Sequence, residues 1–276
     1  MNFIDMFGGI GAFTLGLERQ GHKCIGYYEI DETCVQVYNK RFGTSHTPVD
    51  ITKLVARDVP DHDILCAGFP CQSFSVAGKK QGFKDIRGTL FAEICRIAQE
   101  KRPRLLLLEN VKGLLNHDDG ETFATILHSL HELGYRLEWE VINSKNFGVP
   151  QNRERVFIIG HLGEKCPREI FPLGRGDGEA VEERKMEELT SGMSLSQRIY
   201  STSGISPPIT GTGGGQGAKA GLYMVDGKAR RPTPLECERL MGFPDNFTEG
   251  HSDTKRYEML GNSIAVPIIE EIGRRL

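Results

Sequence analysis

The 276-residue sequence predicts an α/β fold: a doubly wound, mostly parallel sheet joined to a small, irregular β-rich domain. Two observations carry the first part. Short apolar runs alternate with helix-period stretches from residue 2 to residue 162, and several runs end in loops bearing glycines or acids, not in tight hairpin turns. The second part rests on a change of composition after about residue 165, towards Gly, Ser, Thr and Pro across residues 191–235.

Each element has its own signal. Asn2–Phe7 is an apolar strand ending in Gly8-Gly9-Ile10-Gly11, and Ala12–Gln20 is a helix stopped by Gly21. Cys24–Tyr28 is a second strand, ending at Glu29-Ile30-Asp31, and Thr33–Phe42 is the next helix. Asp63–Phe69 is a third strand. Leu90, Ile94, Ile97 and Ala98 mark one face of a helix. Leu105–Leu108 is a fully apolar strand ending at Glu109-Asn110, and Phe123, Ile126, Leu127, Leu130 and Leu133 form another helical stripe. Leu137–Asn143 and Arg155–Leu162 are two more strands. Residues 174–190 are charged and read as a linker or surface helix. Short strands follow at Arg198–Tyr200 and Leu222–Val225, with helices at Pro234–Met241 and Pro267–Leu276.

Composition narrows the class. Hydrophobic residues make up 38% and charged residues 26%, as in ordinary globular proteins. No apolar run approaches the ~18 residues that span a bilayer, and the N-terminus has no signal-peptide pattern. Seven scattered cysteines, with no CxxC pair or Cys/His cluster, suggest neither a disulfide framework nor a metal site; a reducing cytoplasm fits. Net charge is −3, yet basic residues cluster locally. Residues 72–105 hold eight Lys/Arg against three acids, and residues 191–235 hold five against Asp226 alone. Such local surface, not total charge, sets contact with phosphates, although an evenly solvated surface explains it as well.

The chemistry-bearing positions fall at strand ends. Cys71, in Gly68-Phe69-Pro70-Cys71-Gln72-Ser73-Phe74-Ser75, follows a buried run where open sheets build active sites. On position alone it is equally a small core residue. Glu109 ends the neighbouring strand, where partial desolvation would raise its pKa. Arg153 and Arg155, two residues apart, would project to one side and favour a thiolate; alternatively they form surface ion pairs. The glycine turn is not a dinucleotide fingerprint, since the third glycine would fall at Thr14. Glu29, 18 residues past Gly11, could accept both hydroxyls of a ribose or be a solvated acid. A ribose site without a pyrophosphate cradle points to S-adenosylmethionine over NAD.

Six ordered segments then become specific together: Phe3–Gly11, Gly68–Cys71, Glu109-Asn110-Val111, Gln151–Arg155, Arg231–Pro244 and Gly261-Asn262-Ser263. Through them the chain resembles the DNA (cytosine-5)-methyltransferases of small bacterial or phage restriction-modification type. The resemblance implies a Rossmann-like S-adenosylmethionine-dependent methyltransferase fold. It places the catalytic and cofactor-binding domain at 1–168 plus 255–276, and a target-recognition domain with hinge at 169–254.

It also implies roles by position. Cys71 would add to C6 of the cytosine, Glu109 would engage N3 and the exocyclic amine, Arg155 would hold O2, and Arg153 would lie close to the nucleophile. Phe7, Gly9, Gly11, Glu29, Ile30, Asp50, Ile51, Pro70 and Asn262 match cofactor-binding positions, so the last helix should return beside the first strand. Arg198, Thr210, Gln72, Ser75 and Arg87 would meet DNA, Arg198 through a guanine or a phosphate. The loop Ser73–Arg87 would close over a flipped base. The implied setting is cytoplasmic: a monomer acting on double-stranded DNA, with any restriction endonuclease acting separately. Two other readings stay open, a tRNA cytosine-5 methyltransferase on the same scaffold and a non-catalytic DNA-binding regulator. The intact Cys71, Glu109 and Arg155 set and the long Gly/Thr-rich region favour the DNA enzyme.

Overall fold

The structure, a computed structural model, describes residues 1–70, 90–163, 169–174, 185–190, 193, 197–211 and 221–276. Its main sheet is built from β1 (Asn2–Met6), β2 (Lys23–Tyr28), β3 (Ile64–Gly68), β4 (Leu105–Val111), β5 (Tyr135–Asn143) and β6 (Glu154–Leu162) in the order β2-β1-β3-β4-β6-β5. The first four strands of that order are parallel. β6 runs antiparallel to both β4 and β5. The helices are α1 (Ala12–Glu18), α2 (Glu32–Phe42), α3 (Leu90–Lys101), α4 (Glu121–Glu132), α5 (Pro234–Leu240), α6 (Asp253–Asn262) and α7 (Val266–Arg275).

Alternation along the buried strands splits the core in two. Phe3, Cys66, Leu107 and Phe157 face one cluster, which α1, α5, α6 and α7 complete through Phe13, Leu17, Cys237, Leu260 and Ile269. Ile4, Leu65, Leu106 and Val156 face the other, covered by Phe91, Ile94 and Ile97 of α3 and Ile126 and Leu130 of α4. Both faces are therefore buried, which explains the near-continuous apolar strands. α7 returns to the β1 side, as the position of Asn262 implied, and packs on α1. A Cβ on Gly16 would lie 2.6 Å from the Cβ of Ile269.

Local signals set the boundaries. Asp31 caps α2 by accepting from the amides of Thr33 (2.7 Å) and Cys34 (3.3 Å), and Gly43 ends it in the left-handed region at φ 65°. Pro234 opens α5 inside a capping box formed by Thr233 and Glu236. A second, three-stranded sheet contains β7 (Ile199–Ser201), β8 (Leu222–Val225) and β9 (Lys228–Arg230).

The structure departs from the sequence reading at several points. β4 extends through Val111, so Glu109 lies inside the strand, opposite Gly68 and Phe157, and not beyond its end. Within the mostly parallel sheet that was expected, the last strand is antiparallel because only ten residues, 144–153, separate β5 from β6. A parallel return needs a crossover of a dozen residues or more. β9 and α6 were not foreseen. Among the described residues no helix is long and apolar enough to cross a membrane.

Candidate active site

The strand order reverses between β1 and β3: β2 lies on one side of β1 and β3 on the other. Open α/β sheets hold ligands at such a switch point. A cavity of about 710 Å³ opens there, and Phe7, Gly9, Glu29, Ile30, Asp50, Ile51, Pro70, Glu109, Arg155 and Asn262 all line it. Ten of the expected site residues thus converge on one space.

The turn after β1 is held open by its backbone. Phe7, Gly9 and Gly11 have φ of 56°, 52° and 87°. Nothing lies within 4 Å of where a Cβ on Gly9 would point, so that glycine faces free space. Gly11 does not line the cavity. A Cβ there would meet Phe42 at 2.7 Å and Tyr38 at 2.8 Å, so it serves the tight turn into α1. Glu29 fastens the turn to the start of α2: it accepts from the amide of Gly9 (2.9 Å), and from those of Ile30 (2.7 Å) and Asp31 (2.8 Å). Tyr27 donates its hydroxyl to the Gly9 carbonyl at 2.7 Å and stacks on Tyr38. Beside Glu29, the side chain of Ile30 is 65% exposed, an apolar surface presented to the cavity. Asp50 accepts from the amide (3.1 Å) and hydroxyl (2.7 Å) of Thr52, and these bonds hold its carboxyl below the usual range.

Under the turn sits Asp5, fully buried, which sequence reading had only as part of a motif. It accepts from the Thr14 hydroxyl at 3.0 Å, its Oδ1 has no hydrogen-bond partner, and burial pushes its carboxyl up to about 7. Its Cγ lies 3.0 Å from where a Gly8 Cβ would be.

At the other end of the cavity, Glu109 is buried and its Oε1 lies 3.0 Å from Nε of Arg155. Burial raises the carboxyl above its ordinary value; the charges of Arg155 and Arg153 oppose that shift without reversing it. Gly68, opposite in register, leaves this carboxyl unscreened from β3. Asn110 was not singled out from sequence. Its amide donates to the Phe69 carbonyl at 2.8 Å while its Oδ1 accepts from Val111, tying the end of β3 to β4 just before Pro70. Cys71, Gln72, Ser75 and Arg87, with the loop Ser73–Arg87, lie outside the described residues.

Arg153 is placed differently from expectation. It does not line the cavity. Its guanidinium is buried and donates to three backbone carbonyls, those of Ile209, Gly261 and Ser263, each at 2.7 Å. It precedes β6, so the two-residue alternation that would align it with Arg155 does not apply. Arg198 precedes β7 and lies 3.5 Å from Glu188, and Thr210 is exposed; neither lines the cavity. The basic residues of 90–104 are largely committed nearby. Arg96 pairs with Glu93, Lys101 with Asp61, and Arg102 donates to the Leu133 carbonyl.

An open sheet with a cavity at its switch point, lined by a buried Glu–Arg pair, defines a ligand-binding site of the α/β class. The model of the C-5 cytosine-specific DNA methylases matches residues 1–189 and 167–276, and the chain belongs to that family. It is 36% identical over 99% of its length to the type II methyltransferase M.HhaI of Haemophilus parahaemolyticus, covering 93% of that protein. It is 37% identical over the same share to M.NlaX of Neisseria lactamica, covering 95% of it. Among solved structures, the S. pombe Dnmt2 methyltransferase shares the fold at a TM-score of 0.77 and 21% identity, over 98% of this chain and 96% of that one. The protein is therefore a DNA cytosine-5 methyltransferase of the restriction-modification type.

Proposed function

We propose that the protein transfers a methyl group from S-adenosylmethionine to C5 of a flipped-out cytosine within a short, specific duplex sequence, through a covalent bond between Cys71 and C6. The observation that carries this reading is the buried, desolvated Glu109, paired with Arg155, in the same cavity as Glu29, Ile30, Asp50 and Asn262.

The residues fit the cofactor. Glu29 offers a carboxylate to a ribose, Ile30 an apolar face to a purine, Asp50 an acceptor for an exocyclic amine, and Gly9 a space without a side chain. S-adenosylmethionine, bound there, supplies an electrophilic methyl group. Cytosine C5 is too weak a nucleophile to take it unaided. Addition of the Cys71 thiolate to C6 moves the ring electrons to C5. Glu109, protonated more readily because it is buried, donates to N3 and neutralises the charge that develops. Arg155 orients that carboxyl through Nε, and its Nη2 would hold O2 while Nη1 stays on the Glu154 carbonyl. After transfer, a water takes the C5 proton, the electrons of that bond restore the C5–C6 double bond and expel the Cys71 thiolate, and the N3 proton returns to Glu109. The reaction requires the base outside the stack, since neither face of C6 is open within a duplex.

Cys71→Ala should abolish methyl transfer and keep DNA binding, and a duplex with 5-fluorocytosine at the target should trap a covalent adduct, because fluorine cannot leave as a cation. Turnover by the Ala variant, or no adduct on mass spectrometry with the wild type, would refute the nucleophile.

A further inference from the structure

The segment expected to read DNA and the wall of the cofactor cavity touch backbone to backbone. A Cβ on Gly261 would lie 2.2 Å from the Gly211 amide nitrogen and 2.3 Å from the Thr210 carbonyl carbon. One on Gly211 would lie 1.9 Å from Oδ1 of Asn262. Gly211 and Gly261 are needed for space, since no left-handed φ is found at either. Asn262 lines the cavity, so a single residue meets the cofactor space on one side and the reading segment on the other.

Arg153 binds across this contact. Nη1 donates to Ile209, on the reading segment; Nη2 donates to Gly261 and Ser263, which flank Asn262. A planar guanidinium directs its donors rigidly, so the two backbones cannot slide past each other without breaking charge-assisted bonds in a buried place. Its neighbours extend the junction. The Asn152 amide donates to the Ser206 carbonyl at 2.8 Å, the Ser206 amide to the Pro150 carbonyl at 2.7 Å, and the Gln151 side chain to the Leu240 carbonyl at 3.0 Å.

We propose that Arg153 is a specificity-determining positioning residue: it fixes the register of Ile209–Gly211 against the cofactor wall at Asn262, so that sequence reading and cofactor binding depend on one shared clasp. This rests on the reading of the protein as an S-adenosylmethionine-dependent DNA methyltransferase. A group that only held the fold together would, when weakened, lower methylation at all sites alike. A register clasp changes which sites are methylated, and changes the KM for cofactor with it.

Full-length wild type, Arg153→Lys and Gly211→Ala would each be expressed in a host lacking cytosine-5 methylation, and the host DNA sequenced for 5-methylcytosine. Lysine keeps the charge but cannot reach three carbonyls in fixed directions. Gly211→Ala keeps Arg153, and the atoms nearest its new Cβ belong to the Asn262 side chain, which can rotate away. Both variants should raise methylation at sites differing by one base pair, relative to the cognate site, by ~10-fold, the effect of relaxing about one specific base contact. The KM for S-adenosylmethionine of the purified variants should rise by a similar factor. Unchanged site ratios within ~2-fold in either methylating variant, with KM unchanged, overturn the proposal. An absence of 5-methylcytosine from the host expressing wild type would instead overturn the functional reading itself.

Discussion

At the scale of single residues, the site turns on one carboxyl kept protonatable. Glu109 is buried beside two guanidiniums, and burial outweighs their charge. Its protonated fraction, and with it proton donation to the base, declines as pH rises past its raised pKa. Glu109→Gln preserves shape and the hydrogen bond from Arg155 but removes the acidic proton. Single-turnover methyl transfer should slow by ~10²–10⁴-fold, the usual worth of a general acid. The alkaline fall of the wild-type rate should also vanish in the variant; a loss of rate with the alkaline limb intact would assign the acid elsewhere. Glu109 and Arg155 were legible because each belongs to a polar motif adjoining an apolar run, although Glu109 lies inside β4 and not at its end. Arg153 was not, because alternation is a property of residues inside a strand and Arg153 lies one residue outside β6. Asn110 and Asp5 were hidden for another reason: they act on backbone and turn, through partners that only the fold supplies.

At the scale of elements, the α1–α7 contact shows how closely packing overrides local preference. Gly16 lies in the interior of α1, where alanine is the better helix former by about 1 kcal/mol. Its absent Cβ is where Ile269 lies, at 2.6 Å from Cβ and 2.7 Å from Cγ2. Both atoms are anchored close to the α7 backbone, so the helices must separate. Overpacking of this kind costs about 1–3 kcal/mol. Gly16→Ala should therefore destabilise the protein by ~1 kcal/mol despite its propensity, lowering the urea midpoint without changing the slope. A higher midpoint would mean that α7 shifts without penalty. Most strands and helices could be read directly, since apolar runs buried on both faces differ plainly from amphipathic stripes. One miss, β9, had a usable signal. Asp226-Gly227 between β8 and β9, with φ of 50° and 73°, is the preferred two-residue hairpin turn. The antiparallel β6 falls within the mostly parallel sheet that was expected, and the short link from β5 accounts for its direction. α6 had no usable signal: its exposed face is charged, and its buried residues, Tyr257, Met259 and Leu260, are too few to mark a stripe.

For the molecule as a whole, Asp5 links the stability of the sheet to pH. It sits at 0% exposure between β2 and β3, facing Cys24, Tyr27 and Glu29 from β2 and its end, Cys66 from β3, and Thr14 and Tyr38 from the helices. None of these brings a positive charge, and the negative charge of Glu29 adds to the effect of burial. The folded-state value of about 7 lies above the ordinary 3.8, so between those values the folded protein holds a proton that the unfolded chain has released. Stability from this group is thus fully present below about pH 4 and is lost as pH rises towards 7. The size is on the order of 4 kcal/mol, at 1.36 kcal/mol for each unit of difference. Glu236 acts in the opposite sense: its pairing with Arg230 holds it near 2, and its contribution is lost as pH falls from the ordinary 4.5 towards 2. The windows barely overlap, so the two can be separated. Asp5→Asn mimics the protonated form, since its amide oxygen can still accept from Thr14. In guanidinium melts from pH 4 to pH 7.5, the wild type should lose stability more steeply than Asp5→Asn, which keeps only the shallower decline that the raised Glu109 carboxyl contributes. The variant should be the weaker protein at the acid end, where its amide buries a second unpartnered N–H, and should gain on the wild type as pH rises. Parallel curves would show that Asp5 is ionised throughout, and that the unpartnered Oδ1 beneath the glycine turn carries a charge.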